Sequence, residues 1–162
     1  MAATMIINEK NGVGETATDK TSGTVRMKNA DDATVNNSNP MVVPGAGSDW
    51  SFEKWLQLNV AGTFTQVTNL NFYTDGSSGF GTGVNLWAKA EVSYATPAEG
   101  TTSTGYLDAF SYTSGSPLSL GAGPYTTPAD IGSYLVLLLE VQSTASQGAL
   151  TPETMTFSWD EI

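Results

Sequence analysis

The side chains that enzymes use most often for catalysis are missing from this sequence of 162 residues, which contains no His and no Cys. Histidine is the usual general base near neutral pH, and the cysteine thiolate is a strong nucleophile. Ser-His-Asp and Cys-His catalysis are therefore excluded within this chain. Disulfides, iron–sulfur clusters and Cys/His zinc sites are excluded for the same reason.

Carboxylates and lysines are the catalytic groups that remain. A glycosidase needs two carboxylates facing each other across a cleft. The sequence does not pair any of its acidic candidates, which are Glu53, Glu91, Asp108, Glu140 and Glu153. Lys54 and Lys89 each lie within a strand pattern that explains them as edge or face charges. We therefore predict no enzymatic activity.

Two acidic loops could offer oxygen ligands to Ca²⁺, residues 29–32 and 75–78. Neither loop has the spacing or the terminal glutamate of an EF-hand, and each is explained as a turn. We predict no cofactor, although the sequence leaves open whether a cation binds in these loops.

Charge and hydropathy argue against nucleic acid and membrane partners. The formal net charge is −10, and the six Lys and Arg residues are scattered along the chain, whereas phosphate binding needs clustered cations. The longest apolar run, Tyr134 to Leu139, has the length of a strand. The amino terminus lacks the basic and apolar features of a secretory signal, so we expect synthesis in a cytosol.

Alternating apolar and polar residues predict several β-strands and no convincing helix. The clearest alternation covers residues 84–95, and Lys54 is the one exception on the apolar face of residues 51–61. Further strands are predicted at residues 4–8, 24–28, 68–74, 106–112, 134–142 and 154–159. Loops are predicted at the Gly- and Ser-rich residues 77–83, the polar residues 96–104 and the Gly- and Pro-rich residues 117–128. The pattern predicts an all-β antiparallel sandwich of the jelly-roll or immunoglobulin-like type over residues 40–162.

The first 39 residues are more polar and less regular than the rest. We predict an extended N-terminal arm with local β structure over residues 1–39, with two ordinary edge strands as the alternative. Met5, Ile6 and Ile7 are the apolar side chains of this arm and are candidates for an interface with a partner.

The tryptophans are the other interface candidates. Trp55 and Trp87 lie on the faces opposite their strands' aliphatic rows, and Trp50 precedes the first of these strands. Three interpretations compete, namely a second buried layer, a platform for sugars and a subunit interface. Charged residues make up 14% of the chain, and a surface of small hydroxyl side chains is well suited to lying against another protein. We favour burial, within the fold or against a partner, over sugar binding.

Several segments resemble small β-rich virion proteins of tailed bacteriophages, over about residues 40–161. The resemblance is carried by the segments at residues 40–44, 51–56, 69–73 and 150–161. It implies a β-sandwich subunit, often a trimer, that decorates or cements the capsid shell. The expected partners are the major capsid protein and other copies of this chain, and the expected location is the capsid surface of a virion made in the host cytoplasm. The alternative is a carbohydrate-binding or receptor-binding module of a phage fibre or tail, using Trp50, Trp55 and Trp87.

Overall fold

The computed structural model describes residues 2–162, and this part of the chain forms ten β-strands and one short 3-10 helix at Ala109–Ser111. The strands are β1 (Ala3–Asn11), β2 (Thr16–Asp19), β3 (Ser48–Trp50), β4 (Lys54–Gly62), β5 (Val67–Tyr73), β6 (Val84–Glu91), β7 (Leu107–Asp108), β8 (Leu118–Gly121), β9 (Ala129–Gln142) and β10 (Thr156–Glu161). The predicted all-β class is confirmed.

The strands form two antiparallel sheets. The larger sheet has the order β2-β1-β4-β9-β6-β7, and β3 pairs with the end of β9 beyond β4. The smaller sheet has the order β10-β5-β8. The two sheets pack face to face, which confirms the predicted antiparallel sandwich.

The main core lies between the two sheets. Leu58 and Leu137 face inwards from the larger sheet, and Leu70 and Phe72 face them from the smaller one. The apolar side chains alternate along β4 and β6 because one face of each strand points into this core. Residues Tyr134–Leu139 of β9 are apolar on both faces because both are covered, as this unbroken apolar run predicts.

The outer face of the larger sheet is covered in part by the connection from β6 to β7. Tyr94 of this connection packs edge-on against Trp55, with ring centroids 5.4 Å apart. Further along, the backbone of Gly100 lies so close to Leu138 that an added Cβ would be 2.5 Å from Cδ1 of that leucine. The connection therefore forms a partial third layer.

The structure does not show the predicted N-terminal arm. Residues 3–11 form β1, which is hydrogen-bonded to β4 from Ala3↔Gly62 to Lys10↔Trp55. Residues 16–19 form the edge strand β2. The arm interpretation is wrong for these residues because Ala3, Met5 and Ile7 of β1 pack in or against the main core. A chain shortened by residues 2–30 would lose two strands of the larger sheet.

Three other predictions of strands and loops differ from the structure. Residues 24–28 alternate like a strand but have no strand partner. Residues 106–112 form only the two-residue strand β7 and the 3-10 helix. The Gly- and Pro-rich residues 117–128 include the short strand β8, an edge strand that tolerates such a sequence.

Candidate binding surface

The uncovered end of the larger sheet's outer face brings two of the predicted tryptophans to one carboxylate. The register places Trp50 of β3 and Asn85 of β6 on either side of Glu140 in β9. Trp87, two residues after Asn85, donates a hydrogen bond from Nε1 to Glu140 Oε2 over 3.3 Å. Both tryptophans are half-buried. Trp50 and Trp87 therefore lie close to one buried acidic group.

Glu140 is held by neutral donors rather than by a cation. Three more side-chain hydrogen bonds reach its carboxylate, from Ser48 Oγ at 2.7 Å, Asn85 Nδ2 at 3.0 Å and Gln142 Nε2 at 3.3 Å. Burial alone would raise the pKa of Glu140, but these donors together hold that pKa below the ordinary value of 4.5. The carboxylate is therefore ionised at neutral pH.

This lowered pKa predicts how the stability of the protein depends on pH. A carboxyl group with a lower pKa in the folded than in the unfolded chain contributes stability above the unfolded value, and this contribution is lost as the pH falls through the folded value. We expect the free energy of unfolding to decrease below about pH 4.5, and to decrease less steeply in Glu140→Gln. Urea titrations at a series of pH values measure this slope.

Asn85→Ala serves as the matched variant for this prediction because it removes one donor and keeps the carboxyl group. Its slope should lie between those of the wild type and Glu140→Gln. Equal slopes in the wild type and Glu140→Gln would show that the hydrogen bonds do not stabilise the ionised form.

Trp55 lies apart from these two tryptophans. Its side chain is 3% exposed and packs between Tyr94 and Tyr134, with ring centroids at 5.4 Å and 5.6 Å. The indole Nε1 donates to Glu53 Oε2 over 3.0 Å. Trp55 therefore belongs to the covered part of the outer face and is not available to a partner, whereas the half-buried Trp50 and Trp87 are.

The apolar residues of β1 point to different sides of the larger sheet. Met5 is buried in the main core, and Ile7 packs against the same core. Ile6 faces the opposite way, where it pairs with Asn59 of β4 and remains half-buried. These three residues hold β1 in the sandwich, so the strand is not free to wrap around a neighbour.

Most of the positive charge of the chain is buried. Lys54 Nζ lies 2.9 Å from Glu9 Oε1, and both side chains are completely inaccessible to solvent. Lys20 Nζ lies 3.5 Å from the other oxygen of Glu9. The remaining buried lysines are paired with partly exposed carboxylates, Lys10 with Asp130 at 2.6 Å and Lys28 with Asp32 at 2.7 Å.

The outer surface is consequently acidic. Four of the six cationic side chains are buried, which leaves Arg26 and Lys89 as the cationic side chains that solvent reaches in the described residues. Of the 16 acidic residues, only Glu9 and Glu140 are buried. The positive charges are thus mostly buried and the negative charges mostly exposed. No sequence pattern revealed this separation of charge because it depends on pairing between distant segments.

The two most exposed large hydrophobic side chains lie on neighbouring segments. Val13, in the turn between β1 and β2, is 89% exposed, and Val92, just after β6, is 84% exposed. Tyr94 Oη donates to the carbonyl oxygen of Gly12 over 2.7 Å, so the two segments touch. Exposed apolar side chains on adjoining segments are candidates for protein contacts.

The other acidic candidates have local structural partners. Glu53 accepts hydrogen bonds from Trp55 and Tyr106, and Glu91 lies 2.9 Å from Lys89 Nζ. Asp108 caps the 3-10 helix through the backbone N–H of Phe110, and Glu153 accepts from the backbone N–H of Gly79. The structure brings none of these four to Glu140 through a hydrogen bond.

The two acidic loops are occupied by protein contacts. Asp31 accepts hydrogen bonds from Asn11 and Gly12, and Asp32 pairs with Lys28. Asp75 accepts from the backbone N–H of Ser77. Within residues 2–162, no group of three or more acidic side chains is placed to hold a metal ion. Over the same residues, no helix is long and apolar enough to cross a membrane.

Comparisons of the chain with models of known protein families, with curated proteins and with solved structures found no match.

Proposed function

We propose that this chain is a non-enzymatic structural protein of a tailed phage particle, a decoration or cement subunit that binds the outside of the assembled capsid shell. Its partners in this proposal are the major capsid protein and further copies of itself, with a trimer as the favoured assembly. It acts through the shape and charge of its surfaces rather than through a reactive group.

The observation that carries this proposal is the separation of charge. Burying Lys10, Lys20, Lys28 and Lys54 leaves exposed charges that are almost all negative. Such a surface keeps the free subunit soluble and attracts a basic partner surface over several ångströms. Nucleic acid, which is itself acidic, would be repelled.

The proposed mechanism is thermodynamic. A subunit that binds the assembled shell and not its separated proteins stabilises the shell by mass action. Contacts with several capsid proteins at once would raise the affinity well beyond that of one contact. The adjoining segments that carry Val13 and Val92 supply exposed apolar groups for contacts between subunits.

The proposal predicts that binding to the shell depends strongly on salt. Shells assembled from the major capsid protein of the same phage should sediment together with the purified chain. The bound fraction should fall severalfold between about 0.1 M and about 1 M salt, because the Debye length falls from about 10 Å to about 3 Å. Quantitative co-sedimentation measures it, with bovine serum albumin, another acidic protein, as the control. A chain that never sediments with the shells would contradict the proposal.

A carbohydrate-binding module is the second candidate, and one observation favours it. Trp50 and Trp87 lie beside Glu140, Asn85 and Gln142 on the outer face. Sugar-binding sites combine aromatic faces with fixed polar groups of this kind. Under the main proposal, a glycan array should show no binding by the wild type.

If a glycan is bound, matched tryptophan variants decide whether this surface binds it. Trp87→Ala should then lose binding while keeping the circular dichroism spectrum of the wild type. Trp159→Ala, which alters a 37% exposed tryptophan in the smaller sheet, should keep binding. This result would replace the decoration role with the second candidate.

A further inference from the structure

The hairpin of β1 and β2 contains the one Asn-Gly pair of the sequence, Asn11-Gly12. An asparagine followed by glycine is chemically reactive, because glycine has no side chain to hinder attack of its backbone nitrogen on the asparagine carboxamide. The next two residues of the turn, Val13 and Gly14, are exposed to solvent. This turn is therefore a candidate site of spontaneous deamidation.

Deamidation at this pair proceeds through a cyclic intermediate. The Gly12 backbone nitrogen loses its proton and bonds to Cγ of Asn11, while the Cγ–Nδ2 bond breaks and Nδ2 leaves as ammonia. Water then opens the succinimide ring at either of its carbonyl carbons, which leaves aspartate or isoaspartate at position 11. The first step needs a Gly12 nitrogen that can lose its proton and a carboxamide that can turn towards it.

One carboxylate holds both reacting groups in this structure. The backbone N–H of Gly12 donates to Asp31 Oδ2 over 2.7 Å, and Asn11 Nδ2 donates to Asp31 Oδ1, also over 2.7 Å. Both hydrogen bonds are charge-assisted, a class about twice as strong as neutral hydrogen bonds. A negative charge beside the Gly12 nitrogen also opposes the loss of its proton. Asp31 therefore keeps the nucleophile protonated and the carboxamide in place.

The other contacts of the pair also restrict its movement. The carbonyl oxygen of Gly12 accepts hydrogen bonds from the backbone N–H of Glu15 over 3.2 Å and from Tyr94 Oη over 2.7 Å. Asn11 Nδ2 makes a second, long contact of 3.5 Å with Glu9 Oε1. Asn11 Oδ1 is buried and accepts no hydrogen bond within the described part of the chain, so no donor activates the carboxamide carbonyl for attack. These contacts hold the pair in an unreactive arrangement.

We propose that Asn11-Gly12 is a latent site of succinimide formation, which Asp31 keeps unreactive in the folded protein. Asp31 lies in the segment between β2 and β3, so the protection depends on the tertiary fold. An aspartate at position 11 would place a third carboxylate beside Glu9 and Asp31, where like charges repel. Isoaspartate would lengthen the backbone of β1 at its pair with Thr16. This proposal goes beyond the decoration role and does not depend on it.

The test incubates the full-length protein at mildly alkaline pH, folded in buffer and unfolded in guanidinium chloride, and follows position 11 by mass spectrometry. The tryptic peptide of residues 11–20 contains no other side-chain amide, so the mass increase from exchange of ammonia for water reports Asn11 alone. A zero-time sample corrects for reaction during digestion. We expect Asn11 to react at least about tenfold more slowly in the folded chain, because breaking a hydrogen bond to a charged group costs about that factor in rate. Equal rates in the folded and unfolded chains would overturn the proposal.

Variants show whether Asp31 is the protecting group. Asp31→Ala removes both acceptors, and Asn11 should then react at least about tenfold faster than in the folded wild type. Asp31→Asn keeps the size of the side chain and removes its charge, and it should accelerate the reaction severalfold. Tyr94→Phe is the matched control, because it removes a hydrogen bond to Gly12 from the same turn without touching Asp31, and it should keep the wild-type rate. An unchanged or slower rate in Asp31→Asn with a wild-type circular dichroism spectrum, or equal acceleration in Tyr94→Phe, would overturn the proposal.

Discussion

Replacing Lys54 with Met is expected to lower the free energy of unfolding by about 3–5 kcal/mol. Both Lys54 and Glu9 are fully buried, and Lys54 Nζ also donates to the backbone carbonyl of Asp32 over 2.8 Å. The substitution removes one partner of a buried ion pair and leaves the Glu9 carboxylate with two long contacts of 3.5 Å, from Lys20 Nζ and Asn11 Nδ2. Urea unfolding at neutral pH, followed by tryptophan fluorescence, measures the change.

Lys89→Met is the matched control because it removes a lysine from an ion pair that solvent reaches. Lys89 pairs with Glu91 at 2.9 Å and lies over the ring of Tyr106, yet both charged side chains are partly exposed. Exposed pairs contribute about 0–1 kcal/mol, so the loss should be small. Similar losses in the two variants would contradict a structural role for the buried pair.

Phe72→Ala should lower the free energy of unfolding by about 3–5 kcal/mol. Phe72 of β5 is fully buried between the two sheets and packs against Phe157 of β10, with ring centroids 5.8 Å apart. Its removal leaves a cavity where the smaller sheet is fixed to the larger one. Thermal and urea unfolding, analysed as a two-state transition, give the size of the loss.

Tyr73→Ala is the control for this second prediction. Tyr73 follows Phe72 in β5 but faces the other side of the smaller sheet, where it pairs with Thr156. Cross-strand pairs of this kind contribute up to about 1 kcal/mol. If Tyr73→Ala cost as much as Phe72→Ala, the core would not lie where the structure places it.

The sequence predicts the individual strands better than their partners. The alternation in β6 and the continuous apolar run in β9 are local patterns, and they correctly indicate which faces are buried. In β4 the alternation marks the face in the main core, but Trp55 and Gln57 on the opposite face are buried too. Residues 24–28 show the same alternation without forming a strand. Local alternation indicates only that one side of a segment is buried. It does not indicate which part of the chain covers that side.

Lys54 shows why the interior charges could not be predicted. It interrupts the apolar face of its strand, and the sequence alone explains it equally well as an edge charge. Its partner, Glu9, lies 45 residues away in β1. The pairing exists only because β1 joins the sheet beside β4, a contact with no local signal, and the same contact replaces the predicted arm.

The sequence does not show which of the three tryptophans lie close together. Trp55 and Trp87 are recognisable from the sequence as aromatic side chains on the faces opposite their strands' aliphatic rows. Which of the three remain accessible depends on the path of residues 92–106, which covers Trp55 and leaves Trp50 and Trp87 half-buried. Trp50 and Trp87 lie close to Glu140 because of the register in which β3 and β6 pair with β9.

The protein composition of purified phage particles tests the proposed role most directly. Particles produced from the genome that encodes this chain, purified by density gradient and analysed by quantitative mass spectrometry, should contain the chain in a fixed ratio to the major capsid protein. High salt should release it and leave the shells less resistant to heat. Finding the chain abundant in the infected-cell lysate but absent from the particles would contradict the account.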